Sequence, residues 1–238
     1  MIQTGLLLAA GQGTRLRSVT PYKPLCAIAG RALIDHALDS MAAAGLSRVI
    51  VTLGYGADAI AAHLAARSWP VEVLTVMTDF HQPNGVSALA ARALVGPEGA
   101  VMAMCDHLVL PRHYRRLAKA GVGAEGSGGL RLGIDRRLGH PWVDPLDVTC
   151  VATRGDAIVG IGKGLEPHDC YDTGVFAVGH AFFDALAGLD SPSLTEGVRI
   201  LAAEGRAHVV DCSDLDWLDV DDAPAFAHAE GWMTRLAA

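Results

Sequence analysis

Leu6–Leu25, LLLAAGQGTRLRSVTPYKPL, is the stretch on which the reading of this chain turns. Its apolar start (Leu6, Leu7, Leu8, Ala9, Ala10) predicts a strand buried on both faces, the pattern of a parallel sheet. The strand runs into a loop with Gly11 and Gly13, where backbone without Cβ atoms lets N–H groups turn toward an anion. Arg15 and Lys23 follow on the same connection, so a strand end, a nest of amides and two cations converge as a polyphosphate site requires. The bland alternative is a glycine turn from a core strand into a helix, which the two cations argue against. The P-loop spacing is absent. A dinucleotide fingerprint would need glycine at position 16, where Leu16 stands, and the acidic residue at the matching distance, Asp35, falls inside a helical pattern.

Working outward, Ala32 to Ala44 carries apolar residues at helical spacing and stops at Gly45. Strands are expected over Arg48–Leu53 and Val71–Met77, with a turn at Gly54–Gly56 and a helix over Ala57–Ala66 between them. Thr78–Gly85 (TDFHQPNG) reads as a polar loop, Val86–Leu94 as a helix, and Ala100–Met104 as a buried strand ending in Cys105, Asp106 and His107. This alternation predicts an α/β fold, a Rossmann-like α/β/α sandwich with a mostly parallel sheet. In such sheets ligands bind beyond the carboxyl ends of strands, which puts the glycine loop, the 78–85 loop and Asp106 on one rim. The glycine-dense Gly121–Gly133 is expected to be a flexible turn or lid, and Val148–Thr153 with Ala157–Gly162 a small β-hairpin excursion around Arg154, Gly155 and Asp156. Helices over about His180–Gly188 and Leu194–Glu204, a strand Ala207–Cys212 and a helix Ala223–Leu236 complete a single domain over residues 1–238.

The 238 residues suit one such domain and bury an ample core. Mean hydropathy is +0.30, yet no apolar run approaches the roughly 18 to 20 residues of a bilayer span. MIQTGLLLAA lacks a basic n-region and its apolar run is short for a secretory signal, so a cytoplasmic protein is expected. A net charge of −7 argues against a nucleic-acid surface, and acidic substrates must be met by local cations. The five cysteines (Cys26, Cys105, Cys150, Cys170, Cys212) are odd in number and scattered without CxxC spacing, which predicts core thiols rather than a zinc site.

Two acidic positions stand out: Asp106 at a strand end, and Asp219 and Asp221 in DVDD. At a polyphosphate site Mg²⁺ sits between phosphates, held by one or two carboxylates. The competing reading has Asp106 capping a turn and DVDD opening the last helix. Lys23 is the expected catalytic cation between acceptor phosphate and α-phosphate, and Arg15 the expected clamp on the departing β,γ-phosphates. The choice between Asp219 and Asp221 as metal ligand stays open.

LAAGQGTRL followed by TPYKPL resembles the N-terminal motif of the nucleotidyltransferases that activate sugar phosphates and alcohol phosphates, roughly LAAGxGTRLxPxTxxxPKPL, with Tyr22 in place of Pro. Four further segments are similar to the inositol-1-phosphate cytidylyltransferase branch. HQPNGVSAL matches its NGxS loop, MCDH its GDH, IGKGLEPHDCYDTGVFAV its IGKxLxxxDxxDTGxF, and WLDVDD its WxDVDT.

The resemblance implies a nucleotide site at Leu8, Ala10, Gly11, Gly13, Asn84, Gly85 and Ser87, and an inositol phosphate site at Lys163, Asp172, Thr173 and Gly174. It also implies Mg²⁺ on Asp106 with one or both of Asp219 and Asp221. On residue types alone, Ser87 equally reads as a helix cap, Lys163 as a solvated end of a hairpin, and Asp172 and Thr173 as turn formers. His107 is left outside the catalytic set. Cys105 replaces the branch's Gly, which is expected to narrow the ribose site, and Asp222 replaces its Thr. The implied reaction joins CTP and 1L-myo-inositol-1-phosphate to give CDP-inositol and pyrophosphate. The implied partners are CTP, a small phosphorylated polyol and a separate membrane-embedded CDP-alcohol phosphotransferase that takes the product; the reading admits a homodimer. The rivals are transfer to phosphocholine or a hexose-1-phosphate, and a nucleotide-binding paralogue without turnover.

Overall fold

In the computed structural model, which describes residues 1–123 and 129–237, the first strand and its loop fold as the sequence dictates. β1 (Thr4–Ala9) is fully buried and pairs in parallel with β4 (Arg48–Leu53), which pairs in parallel with β5 (Glu72–Met77); β6 (Ala100–Met104) flanks β1 on its other side, also in parallel. The strand-to-strand crossovers carry α1 (Leu33–Ala44), α2 (Ala57–Ala65) and α3 (Asn84–Ala90). A small hairpin of β2 (Ala27–Ile28) and β3 (Arg31–Ala32) precedes α1. Alternation along β1 sorts its side chains: Leu7 and Ala9 join the layer containing Ile34, Leu38 and Met41 of α1, whereas Leu6 and Leu8 join that of Ala88 on α3. Gly45 stops α1 in the left-handed region at φ 97°, as expected of a C-terminal glycine.

After β6 the chain forms β7 (His107–Val109), α4 (Pro111–Ala120) and β8 (Leu130–Asp135). It continues through the hairpin β9 (Thr149–Arg154) and β10 (Ala157–Lys163) to the long strand β11 (Cys170–Val178). Then come α5 (His180–Ala187), α6 (Leu194–Ala203), β12 (Ala207–Asp211), β13 (Trp217–Asp219) and α7 (Ala223–Ala237). Among the described residues a nine-stranded sheet runs β5-β4-β1-β6-β11-β8-β12-β10-β9. Parallel pairing holds from β5 to β6 and between β8 and β12; β11 enters antiparallel to both β6 and β8 and joins the two portions. One face packs against α1, α2 and α4, and the other against α3, α5 and α6, giving the α/β/α sandwich. A third apolar cluster (Leu16, Ile28, Leu33, Leu108, Leu218, Val220, Trp232) sits under α7. No helix among the described residues is long and apolar enough to cross a membrane.

The structure corrects several local expectations. The helix expected from Val86 begins at Asn84, with Pro83 at its N-cap position, so Asn84 and Gly85 are helical and Ser87 caps nothing. Proline fixes its own φ and lacks an N–H, which makes the chain before Asn84 a natural helix start that the polar composition of the loop obscured. Leu130–Gly133, expected within a turn or lid, belongs to buried β8; positions 124–128 of that stretch lie outside the described residues. Asp172 and Thr173 are not in a turn before the strand but inside β11, at a shift in its register with β8. All five cysteines are free and buried, as expected of core thiols.

Candidate active site

The glycine loop places its two cations through packing as well as charge. Gly13 stands at φ 55°, and a Cβ there would lie 2.6 Å from the Cβ of Lys23. Glycine is thus required because the Lys23 stem crosses the loop at contact distance. Lys23 opens a single 3₁₀ turn (Lys23–Leu25) and is 7% exposed, buried among carboxylates. Its Nζ lies 2.7 Å from Asp106 Oδ2, 4.0 Å from Asp219 Oδ1, and in direct contact with Asp221.

The acidic partners arrive from the other half of the chain through a small two-stranded sheet. β13 pairs antiparallel with β7 so that Asp219 faces His107. Alternation continues past the strand: Leu218 and Val220 enter the apolar cluster beneath α7, and Asp219 and Asp221 share the opposite side. Asp222 also lines the larger cavity, and its Oδ1 accepts the Ala225 N–H at 2.8 Å as a cap on α7. Asp106 follows β6 after Cys105 and is the residue whose carbonyl accepts the Val220 N–H.

Two cavities meet at this cluster. One, about 250 Å³, is lined by Leu8, Ala9, Gly11, Gly13, Thr14, Arg15, Lys23, Pro24, Cys105, Asp106 and Asp221. The other, about 290 Å³, takes in Asn84, His107, Trp142, Asp147, Lys163, Asp172, Gly174 and Trp217, and shares Arg15, Asp106 and Asp221 with the first. Of the residues expected at the nucleotide, Leu8, Gly11 and Gly13 line the smaller cavity. Ala10 lies behind it, its carbonyl accepting from Tyr55 N–H at 3.0 Å. Asn84 lines the larger cavity, and its Oδ1 accepts from Leu194 N–H at 2.9 Å. Gly85 and Ser87 are buried and line neither cavity; a Cβ on Gly85 would lie 2.5 Å from the Pro192 carbonyl oxygen, so that glycine serves helix packing.

Of the residues expected at the acceptor, Lys163, Asp172 and Gly174 line the larger cavity. Thr173 does not: it is fully buried and its hydroxyl donates to the Gly133 carbonyl at 2.8 Å. The alternation of β11 sends its side chain to the core when Asp172 faces the site. Cys105 is 4% exposed and belongs to the core layer of α1 and α4, and it also lines the smaller cavity.

Two residues of the charged cluster lay outside the set expected from sequence. His107 lies with its Nε2 3.5 Å from Asp219 Oδ2, and Gly174, at φ 76°, leaves the space its ring occupies. Asp147 accepts from Arg15 at 2.7 Å and also from Lys163. The signal for His107 was its place next to Asp106 in MCDH; for Asp147, in a proline-rich connection, residue type gave none.

The charges are set by this crowding. Burial pushes the Asp106 carboxyl up, but Lys23 and His107 outweigh it and hold the group below the usual carboxylate range. Burial pulls His107 down, and the carboxylates of Asp219, Asp106 and Asp172 reverse that and push it up to about 9. Asp172, with burial dominating the Gly174 N–H bond, is pushed up to about 6. Asp147 is lowered, chiefly by the hydrogen bond from Lys163 and then by Arg15. The residues fit a divalent cation: Asp219 Oδ1 is buried with no hydrogen-bond partner, and the oxygens of Asp147, Asp219 and Asp221 lie within 4.8 Å of one another, as do ligand atoms of Asp106, His107 and Asp219. Carboxylate oxygens in that number suit a hard ion.

Known proteins resemble this chain in sequence and in fold. A family model described as the MobA-like NTP transferase domain matches residues 5–153. The bifunctional IPC transferase and DIPP synthase of Rubrobacter xylanophilus is 33% identical over 220 residues, covering 90% of this chain and 48% of that protein. The protein of the same description from Aquifex aeolicus is 27% identical over 242 residues, 100% of this chain and 53% of that one. The chain therefore spans about half the length of these curated relatives. The solved structure of the inositol-1-phosphate CTP transferase from T. maritima superposes with a TM-score of 0.85 at 22% identity, over 99% of this chain and 96% of that one, and shares its fold.

Proposed function

The chain belongs to the MobA-like NTP transferase family, and from that membership we propose that residues 1–238 act as one nucleotidyltransferase unit that condenses CTP with 1L-myo-inositol-1-phosphate. The observation that carries the reading is the meeting of two cavities at Arg15, Asp106 and Asp221, where Lys23, in the lining of the smaller one, pairs with both aspartates. Two phosphorylated substrates entering from opposite sides would bring their phosphates together there.

An oxygen of the acceptor phosphate attacks the α-phosphorus of CTP; the new P–O bond forms as the bond to the β-phosphate oxygen breaks, and pyrophosphate leaves with that electron pair. Lys23 offsets the charge on the acceptor and α-phosphates, and Arg15, which lines both cavities, draws the β,γ-phosphates. Amides of the Gly11–Gly13 loop support the same phosphates. Lys163 meets the acceptor's phosphate, and Asp172 accepts from its hydroxyls. Asp106 and Asp219, the latter with a buried oxygen that accepts no hydrogen bond, would hold Mg²⁺, with Asp221 orienting Lys23 and Arg15. Bound there, the ion supplies Lewis-acid neutralisation of phosphate oxygens.

The test is pyrophosphate release with Mg²⁺ from CTP, UTP, ATP or GTP, each paired with inositol-1-phosphate, phosphocholine or glucose-1-phosphate. Release confined to CTP with inositol-1-phosphate is the expected result. Phosphocholine is the second reading, supported by Trp142 and Trp217 in the larger cavity, since aromatic faces attract a quaternary ammonium. Turnover with that pair alone would replace the polyol acceptor. Nucleotide binding with silence throughout would leave a binding protein.

A further inference from the structure

The reaction proposed above leaves Asp147 without a role, although it pairs with two cations on the acceptor side. It ends the connection between β8 and β9. Trp142 anchors that connection, lying 5.5 Å from the His228 ring and 6.2 Å from the Trp232 ring of α7. A short turn, with the Asp147 N–H donating to the Asp144 carbonyl at 3.2 Å, then presents the carboxylate to the cavity. One oxygen accepts from Arg15 Nη2 at 2.7 Å and the other from Lys163 Nζ. These cations come from distant elements, the glycine loop and the end of β10, and their side chains are 51% and 61% exposed. A dissolved anion can reach both.

We propose that the gap between Arg15 and Lys163 is a seat for a phosphate monoester, and that Asp147 fills it in the free protein as a stand-in that the incoming phosphate displaces. The proposal rests on the acceptor reading of the larger cavity. A phosphate offers more charge and more acceptor oxygens than one carboxylate, so it wins both cations once bound. The displaced carboxylate then faces Asp219 and Asp221, whose oxygens lie within 4.8 Å of its own, and like charge drives it toward solvent. Arg15 also lines the smaller cavity. A triphosphate that draws Arg15 away removes one of the two bonds holding Asp147.

Inorganic phosphate is the probe, titrated calorimetrically into the full chain without metal. Asp147→Asn keeps the shape and removes the competing charge, and is expected to bind phosphate about tenfold more tightly, which is about 1.4 kcal/mol. Asp147→Glu, which keeps the charge, should bind as the unaltered protein does, and Lys163→Met should abolish the gain from Asp147→Asn in the double variant. Equal or weaker phosphate binding by Asp147→Asn would overturn the stand-in, and a gain that survives Lys163→Met would overturn the seat. The reaction is judged separately: tighter phosphate binding by Asp147→Asn in a protein that releases no pyrophosphate keeps the seat and removes the reaction. Specific turnover with unchanged phosphate affinity does the reverse.

Discussion

Replacing Lys23 by Met keeps a stem of similar length over Gly13 and deletes one charge from among three carboxylates. At an effective dielectric near 20, the contact with Asp106 at 2.7 Å is worth about 6 kcal/mol of gross attraction and that with Asp219 at 4.0 Å about 4 kcal/mol. Desolvation of the buried ammonium cancels most of this. Removing one partner of a buried pair costs about 3–5 kcal/mol where the remaining charge is sealed. Here the side chains of Asp106, Asp219 and Asp221 are 31%, 34% and 23% exposed, so water screens them. A loss of about 2–3 kcal/mol follows. Magnesium should restore it, because a divalent ion supplies the missing positive charge, whereas in the unaltered protein it must compete with Lys23 and gains less. Turnover should not return: a missing transition-state donor costs about 10²–10³ in kcat. The assay is urea unfolding in EDTA and in Mg²⁺, beside pyrophosphate release. An unfolding midpoint in EDTA equal to that of the unaltered protein, or a magnesium gain no larger than its own, would refute the electrostatic account.

Gly174→Ala puts a Cβ 1.8 Å from His107 Nδ1 at φ 76°, so the ring must leave Asp219; left-handed strain alone costs about 1–2 kcal/mol, and thermal melting should fall by several degrees, with pyrophosphate release lost. His113 on α4 is fully buried with both ring nitrogens unpartnered, and burial, reinforced by Arg116, lowers it to about 4. The unfolded chain takes up that proton near pH 6.5 and the folded one only near 4, so stability drains away as pH falls across this window. His113→Leu should therefore be more stable at pH 5, by about 2 kcal/mol, and its stability should depend less steeply on pH between those limits; urea titrations at pH 8, 6 and 5 that run parallel to the unaltered protein would contradict it.

Much of the sheet and the loop chemistry could be read from residue order, because local rules govern them. β1, α1, β4 and the β9–β10 hairpin follow from apolar pattern and glycine punctuation, and Arg15 and Lys23 sit within one short connection. What resisted reading depends on contacts distant in sequence. Thr173 and Asp172 are neighbours of similar polarity, and only the pairing of β11 with β8 sends one hydroxyl into the core and one carboxylate to the cavity. Gly85 looks like a loop glycine until Pro192 is brought against it. Asp147 carries no motif, and its importance exists only once β10 delivers Lys163 beside Arg15. The choice between Asp219 and Asp221 resisted because period-two alternation puts both on one side, and only the distances to Lys23 distinguish them.

The pairing of β13 with β7 joins residues 107–109 to 217–219 through three residue pairs. A slip of one residue would turn Leu218 and Val220 toward the phosphates and press two aspartates into the apolar floor under α7. Insertions and deletions are thus free to accumulate in the intervening connections, but not inside this reading frame. In a lineage of such proteins, gaps in aligned chains should cluster between the strands and spare the WLDVD run, much as a ruler tolerates a longer handle but not a missing graduation.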